Sequence, residues 1–190
     1  MIIQDRAQLY NKAFPKYPPL HTTDRWIYGI WMIGNNYQNK QGYYGEYPPS
    51  YLKRILSMFP DIPPDRVLHL FSGSLDKNES TGATFDINPD LKPTIVGDAH
   101  HLSTYGLEPY LILGDPPYSG EDSEHYGTPM VNRTKILKEC AKILIPGTHL
   151  VWLDQVLPMY SKKEFNLVGT IGLIRSTNHR FRVVCIFEKV

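Results

Sequence analysis

Short apolar runs, each followed by an acid or by small polar residues, recur along the middle of the chain. They occupy residues 66–71, 84–88, 94–99, 110–113 and 149–153. Apolar runs of this length are typical of strands that are buried on both faces of a parallel sheet. Because the carboxyl ends of parallel strands meet at one edge, the repetition predicts an α/β fold with a ligand cleft along that edge.

Two further segments carry apolar residues at helical spacing. The first covers residues 51–59, where Ser50 is a suitable N-cap and Pro60 ends the helix. The second covers residues 136–144 and ends before Pro146. Both patterns predict amphipathic helices that pack one face against the sheet.

The chain closes with two β-rich runs, residues 167–174 and 181–187, which predict an antiparallel hairpin. A polar and basic cluster lies at its turn: Arg175, Asn178, His179 and Arg180. These side chains could contact the phosphates of a nucleic acid, which position a backbone without reading its sequence, or they could simply solvate the tip of the hairpin.

The N-terminal part differs in character. Residues 1–25 are polar, rich in proline and without a clear period, so we expect an arm there. Residues 26–47 are dense in aromatic residues and glycine, which fits either a flap over a ligand or a cluster that packs against the main domain. The pattern therefore predicts an arm or aromatic flap at residues 1–42 and one main domain at residues 43–190.

Composition narrows the class. The chain has 190 residues, of which 42% are hydrophobic and 21% charged, which suits one globular domain. No apolar run reaches the length of a membrane span, and no signal peptide opens the chain. Cys140 and Cys185 lie in helical and strand patterns, so both are expected in the core, and a reducing, cytoplasmic setting fits.

Charge is unevenly distributed, although the net charge is only +1. Residues 1–130 carry 10 Lys/Arg and 15 Asp/Glu, and residues 131–190 carry 10 and 4. The last third could therefore form a basic face for a phosphate backbone, or the charges could belong to a mixed solvated surface. The acidic segment 121–124 argues against a strong nucleic-acid signal.

The most informative stretch is the turn after the fourth apolar run, Asp115-Pro116-Pro117-Tyr118. The two prolines fix the turn and leave no N–H, so its carbonyl groups point in defined directions. A carboxylate, a rigid carbonyl and a flat ring can hold a planar molecule that bears an exocyclic amino group. The alternative is a proline-rich loop that only caps a core strand.

In this order, the strands and their terminal acids resemble the class I S-adenosylmethionine-dependent methyltransferases, and within them the amino-methyltransferases of adenine N6 or cytosine N4. The resemblance implies a Rossmann-like, mostly parallel sheet with a reversed last strand, S-adenosyl-L-methionine as cofactor and a nucleic-acid substrate. DNA adenine N6 is the first expectation. The alternatives are RNA, a protein amide, a small planar molecule, or a cofactor-binding module without catalysis.

The resemblance also implies roles for individual residues. Asp86 would accept the ribose hydroxyls, and Asp98 would meet the adenine. Asp115 and the carbonyl of Pro116 would accept the N–H groups of the target, and Tyr118 would stack on its ring. The full set of implied cofactor contacts is Tyr44, Tyr47, Pro48, Phe71, Ser72, Gly73, Ser74, Asp86, Ile87, Asp98 and Ala99.

The chain departs from the family where it connects its first strands. Residues 75–83 and 89–93 are too short for ordinary crossover helices, so we expect these helices to be reduced or lost. No segment is long enough for a separate target-recognition domain, so a partner protein is one possible source of selectivity. The chemistry needs no metal, and His100 with His101 does not complete a metal site.

Overall fold

The computed structural model describes residues 1–34, 47–48, 50–75, 82–117, 131–176 and 180–190. Within them lie three α-helices: α1 (Ile3–Ala13), α2 (Tyr51–Met58) and α3 (Arg133–Ile143). The strands are β1 (His21–Thr23), β2 (Trp26–Ile33), β3 (Val67–Leu70), β4 (Ala83–Asp86), β5 (Ile95–Val96), β6 (Leu111–Gly114), β7 (His149–Asp154), β8 (Phe165–Arg175) and β9 (Phe181–Lys189).

All of these strands join one sheet in the order β1-β2-β8-β9-β7-β6-β3-β4-β5. Strands β7, β6, β3, β4 and β5 run parallel, and β9 is antiparallel to both β7 and β8. The expected mostly parallel sheet with a C-terminal antiparallel hairpin is therefore confirmed. The predicted reduction also holds between β4 and β5, where the connection contains only the 3-10 turn Pro89–Leu91.

Helices cover the sheet on both faces, which explains the continuous apolar runs. Helices α1 and α2 share a core with alternate strand residues such as Val67 and Leu113. Helix α3 and the 3-10 helix Ala99–Tyr105 pack on the other face, against residues such as Leu68 and Trp152. Strands of this kind are buried on both sides, as a parallel sheet between two helical layers requires.

The prediction of an arm without periodic structure at residues 1–25 was wrong, because α1 and β1 form there. Residues 26–33 form β2, and its buried Ile27 and Trp31 agree with the expectation that this segment packs against the main domain. The pattern concealed α1 because its buried face includes Arg6 beside Tyr10. Arg6 donates to both carboxylate oxygens of Asp61, at 2.8 and 3.1 Å. The predicted boundary between residues 42 and 43 lies outside the described residues.

The helix ends differ from each other in how they are capped. Ser50 precedes α2 as predicted, but its φ of 62° is left-handed and its side chain caps nothing. Asn132 caps α3, because its side-chain oxygen accepts the Lys135 N–H at 3.0 Å. No helix in the described part of the chain is long and apolar enough to cross a membrane.

Candidate active site

A carboxylate links the ends of the first two central strands. Asp86 closes β4, and its Oδ2 accepts the backbone N–H of Gly73 in the turn after β3, at 2.9 Å. Its Oδ1 accepts the N–H of Asn88 at 3.0 Å. A carboxylate has about four lone-pair positions, so each oxygen can still accept one further hydroxyl. Asp86 therefore positions the turn and keeps room for two donors from a ligand.

The turn after β3 is built for close approach of a ligand. Phe71 and Gly73 have left-handed φ angles of 60° and 55°. Ser72 and Ser74 each hold a hydroxyl oxygen shielded from solvent and without a hydrogen-bond partner among the described residues. Buried hydroxyls are normally paired. Two unpaired hydroxyls beside Asp86 can therefore form hydrogen bonds with polar groups of a ligand.

An aspartate–histidine pair follows β5. Oδ1 of Asp98 accepts the backbone N–H of His100 at 2.9 Å and lies 2.7 Å from its Nδ1. The backbone N–H of Asn132 donates to His100 Nε2 at 2.9 Å, so the proton of the neutral ring is on Nδ1. Partial burial raises the pKa of Asp98, but the hydrogen bonds from His100 outweigh it and hold that pKa below its ordinary value. Asp98 is therefore an ionised acceptor.

Exposed apolar side chains lie near Asp86 and Asp98. Ile87 is 43% exposed and Val96 is 50% exposed. Gly97 has no room for a Cβ, which would overlap Tyr105 and Phe85. Exposed apolar side chains beside an ionised acceptor suit an apolar ring that bears a hydrogen-bond donor.

The Asp-Pro-Pro turn lies next to the turn after β3. Leu70 of β3 pairs with Gly114 of β6, and the Asp115 N–H donates to the Leu70 carbonyl at 3.5 Å. Tyr47 donates its hydroxyl to the Leu113 carbonyl at 3.2 Å. Burial and the nearby Asp115 charge raise the pKa of Tyr47 well above its ordinary value, so this donor keeps its proton. The segment before α2 therefore reaches the strand that carries Asp115.

A buried ion pair contacts the Asp-Pro-Pro turn. Arg133 donates through Nε and Nη2 to the two oxygens of Asp154, at 2.6 and 3.1 Å, and its Nη2 lies 3.5 Å from the Pro117 carbonyl. Asp154 is fully buried and also accepts Trp152 Nε1 and the Gln155 N–H, at 3.1 and 2.7 Å. The last acid of β7 thus positions Arg133, and Arg133 positions the turn.

Other proposed site residues have different positions. Pro48 and Pro116 are buried, Ala99 is buried in the core near Phe85, and Arg180 is exposed beside β9. Arg175 ends β8, and its N–H lies 3.4 Å from the Arg180 carbonyl. Four proposed site residues lie outside the described residues: Tyr44, Tyr118, Asn178 and His179.

The sequence did not predict the structural roles of His100 and Arg133. His100 was weighed only as a metal ligand, yet it connects Asp98 to the start of α3. Arg133 was not considered, although its place in the first turn of the helix after the Asp-Pro-Pro segment was a usable signal. In the described residues, no group of three or more His, Cys, Asp or Glu side chains is placed to hold a metal.

The strand order and the reversed C-terminal strand define a Rossmann-like fold of the class I methyltransferase type. Among solved structures, the chain is similar to TrmN from Thermus thermophilus, a tRNA methyltransferase. The two share 18% identity with a TM-score of 0.55, over 76% of this chain and 49% of TrmN. The chain thus spans about half the length of TrmN. No protein-family model and no curated protein sequence matches the chain.

Proposed function

We propose that the chain is an S-adenosylmethionine-dependent methyltransferase that acts on an exocyclic amino group of a nucleic-acid base. The observation that carries the proposal is the adjacency of two turns at the carboxyl edge. One turn, 71–74, has two unpartnered buried hydroxyls beside Asp86, and the other begins at Asp115. The two turns follow Leu70 of β3 and Gly114 of β6, which pair with each other in neighbouring strands about 5 Å apart.

The residues divide the work between cofactor and target. The hydroxyls of Ser72 and Ser74, with Asp86 and Asp98, would hold the cofactor, which when bound supplies a methyl group on a sulfonium. On the target side, Asp115 and the Pro116 carbonyl would accept the N–H bonds of the amino group. These acceptors favour a tetrahedral nitrogen whose lone pair is available for attack. Holding the reacting atoms in line supplies much of the remaining rate.

Two polymers are candidates for the substrate. The Asp-Pro-Pro-Tyr resemblance favours adenine N6 in DNA, whereas TrmN is a tRNA methyltransferase and therefore favours RNA. The tRNA comparison rests on a likeness of fold over 76% of this chain, and the DNA expectation rests on the Asp-Pro-Pro-Tyr motif, of which Tyr118 lies outside the described residues, so RNA is tested first. A base within a duplex must leave the stack in either case.

The test measures transfer of labelled methyl to RNA, DNA and free nucleosides, together with calorimetric titration of S-adenosylmethionine. We expect Asp115→Asn to lower kcat by about 100-fold or more, because it removes a charged acceptor from the reacting group. The same variant should bind the cofactor like the wild type. Asp86→Ala should instead lose cofactor binding.

Asp65→Asn is the matched control, because Asp65 is exposed and lies just before β3, at the opposite edge of the sheet. It should leave both readouts unchanged. A wild-type protein that binds no S-adenosylmethionine would overturn the proposal. Cofactor binding with transfer only to nucleosides or other small molecules would retain the methyltransferase and reject the nucleic-acid substrate.

A further inference from the structure

Three large apolar side chains point into solvent in the loop after β7. Val156 is 52% exposed, Leu157 is 50% exposed and Met159 is 77% exposed. We call these three residues the apolar ridge. Single exposed apolar residues are common, but three within four positions of one loop concentrate apolar surface, which is a property of interaction sites.

The loop is held in place, so the exposure of the ridge is built into the fold. The Gln155 N–H donates to Asp154 Oδ1 at 2.7 Å before the ridge. Pro158 is buried within it, and the Tyr160 ring lies 5.0 Å from the Phe187 ring after it. These anchors fix the backbone while the side chains of Val156, Leu157 and Met159 face outward.

The ridge lies between the Asp-Pro-Pro turn and the C-terminal hairpin. On one side, Asp154 is connected through Arg133 to the carbonyl of Pro117. On the other side, Asp154 pairs with Val183 of β9, so the start of the hairpin strand is the next neighbour. Strands are about 5 Å apart, which places all three features along one short stretch of the sheet edge.

The hairpin strand next to the ridge begins with a basic segment. Residues 175–182 carry three Arg and no Asp or Glu. Arg182 precedes Val183, which pairs with Asp154 at the end of β7, and Arg180 is exposed two residues earlier. An apolar patch beside positive charge complements a nucleic acid, whose bases are apolar on their faces and whose backbone is anionic.

We propose that the apolar ridge packs against the base stack beside the target and holds the target nucleotide out of the stack, while the neighbouring hairpin arginines contact its backbone. The inference rests on the proposed function and adds how the substrate is opened. Apolar side chains of this kind, Leu and Met among them, separate base steps in other nucleic-acid complexes. The ridge needs no base-specific contact for this, so it accounts for the opening of the base stack at the target but not for sequence selectivity.

The experiment compares kcat/KM for labelled-methyl transfer to duplex and single-stranded oligonucleotides of random sequence, in both RNA and DNA. We expect Leu157→Ser/Met159→Ser to lower kcat/KM on the duplex by about tenfold or more, because opening a paired target costs unstacking energy. On single strands the loss should stay within about threefold, since there is little stack to open. Cofactor affinity should not change.

Ile145→Ser is the matched control, because Ile145 is 53% exposed and lies before β7, at the opposite edge. Equal losses on duplex and single strands, no loss on either, or a wild type that acts on single strands alone would overturn the inference while the proposed function stands. A wild-type dimer that the ridge variant converts to a monomer would assign the ridge to a second copy instead. A wild type that methylates no nucleic acid would overturn the proposed function itself.

Discussion

Removal of Arg133 should expose how strongly the candidate site depends on one buried ion pair. Arg133 is 17% exposed at its side chain, and its partner Asp154 is fully buried. Substitution by methionine keeps most of the volume but leaves a buried carboxylate without its cation. Breaking a buried pair in this way costs about 3–5 kcal/mol. The partial exposure of Arg133, and the N–H groups of Trp152 and Gln155 that remain on Asp154, place the expected loss near 3 kcal/mol.

The assay is urea unfolding of Arg133→Met, with thermal unfolding as a second measure. A loss of about 3 kcal/mol should lower Tm by about 6–12 °C in a chain of this size. Methyl transfer should fall as well under conditions where the variant is folded, because the Pro117 carbonyl loses a donor. Adding Asp154→Asn removes the unpaired charge and should recover about 1–2 kcal/mol.

Arg66→Met is the control, because Arg66 pairs with the exposed Glu108 at 3.4 Å. An exposed pair of this kind is worth less than about 1 kcal/mol. If Arg133→Met costs no more than this control, Asp154 is solvated well enough by its other donors and the pair does not support the site. A double variant that is no more stable than Arg133→Met would also refute the reasoning, because the unpaired charge would not be the cause.

Three further predictions concern single positions. Phe71 has a left-handed φ, and its ring packs edge-on against Trp152. Phe71→Gly should be about 1 kcal/mol more stable than Phe71→Ala in urea unfolding, since both variants lose the ring and only glycine adopts this φ without strain. The reverse order of stability would contradict the presence of backbone strain. Burial lowers the pKa of His149 to about 3, so the stability from its neutral ring is present above its ordinary pKa of about 6.5 and falls by about 2 kcal/mol by about pH 5. His149→Phe should show a smaller acid loss by the same urea assay, and an equal loss would show that this ring is not responsible. Gly114 has no room for a Cβ beside the buried Trp152 ring. Gly114→Ala should therefore lower the free energy of unfolding by about 1–3 kcal/mol and lower methyl transfer. A fully stable, active variant would show that the ring can move.

The central part of the fold could be predicted from sequence because its signals are local. A continuous apolar run followed at once by Asp86 or Asp115 identifies a buried strand and its carboxyl end without any tertiary information. The helix α1 could not be found this way, since its buried face includes Arg6, whose burial depends on the distant Asp61. Only the folded chain shows that an arginine belongs to the core face.

In the candidate site too, local features could be predicted from sequence and long-range contacts could not. Its acids follow strands and could be identified one by one, but the residues that position them could not. His100 is two positions from Asp98, yet its role depends on Asn132, which is 32 positions away. Arg133 is 21 positions from Asp154, and nothing in the pattern pairs them.

These positioning contacts explain how the fold keeps its loops in order without a crossover helix between β4 and β5. Parallel strands are ordinarily joined by a crossover of a dozen or more residues, usually a helix. Here side chains make the connections: Asp86 holds Gly73, and His100 holds Asp98 to α3. The first residue of α3, Arg133, then connects Asp154 to the Asp-Pro-Pro turn. Because the start of α3 contacts both His100, which holds Asp98, and the Asp-Pro-Pro turn, its position sets the geometry of the two loops together.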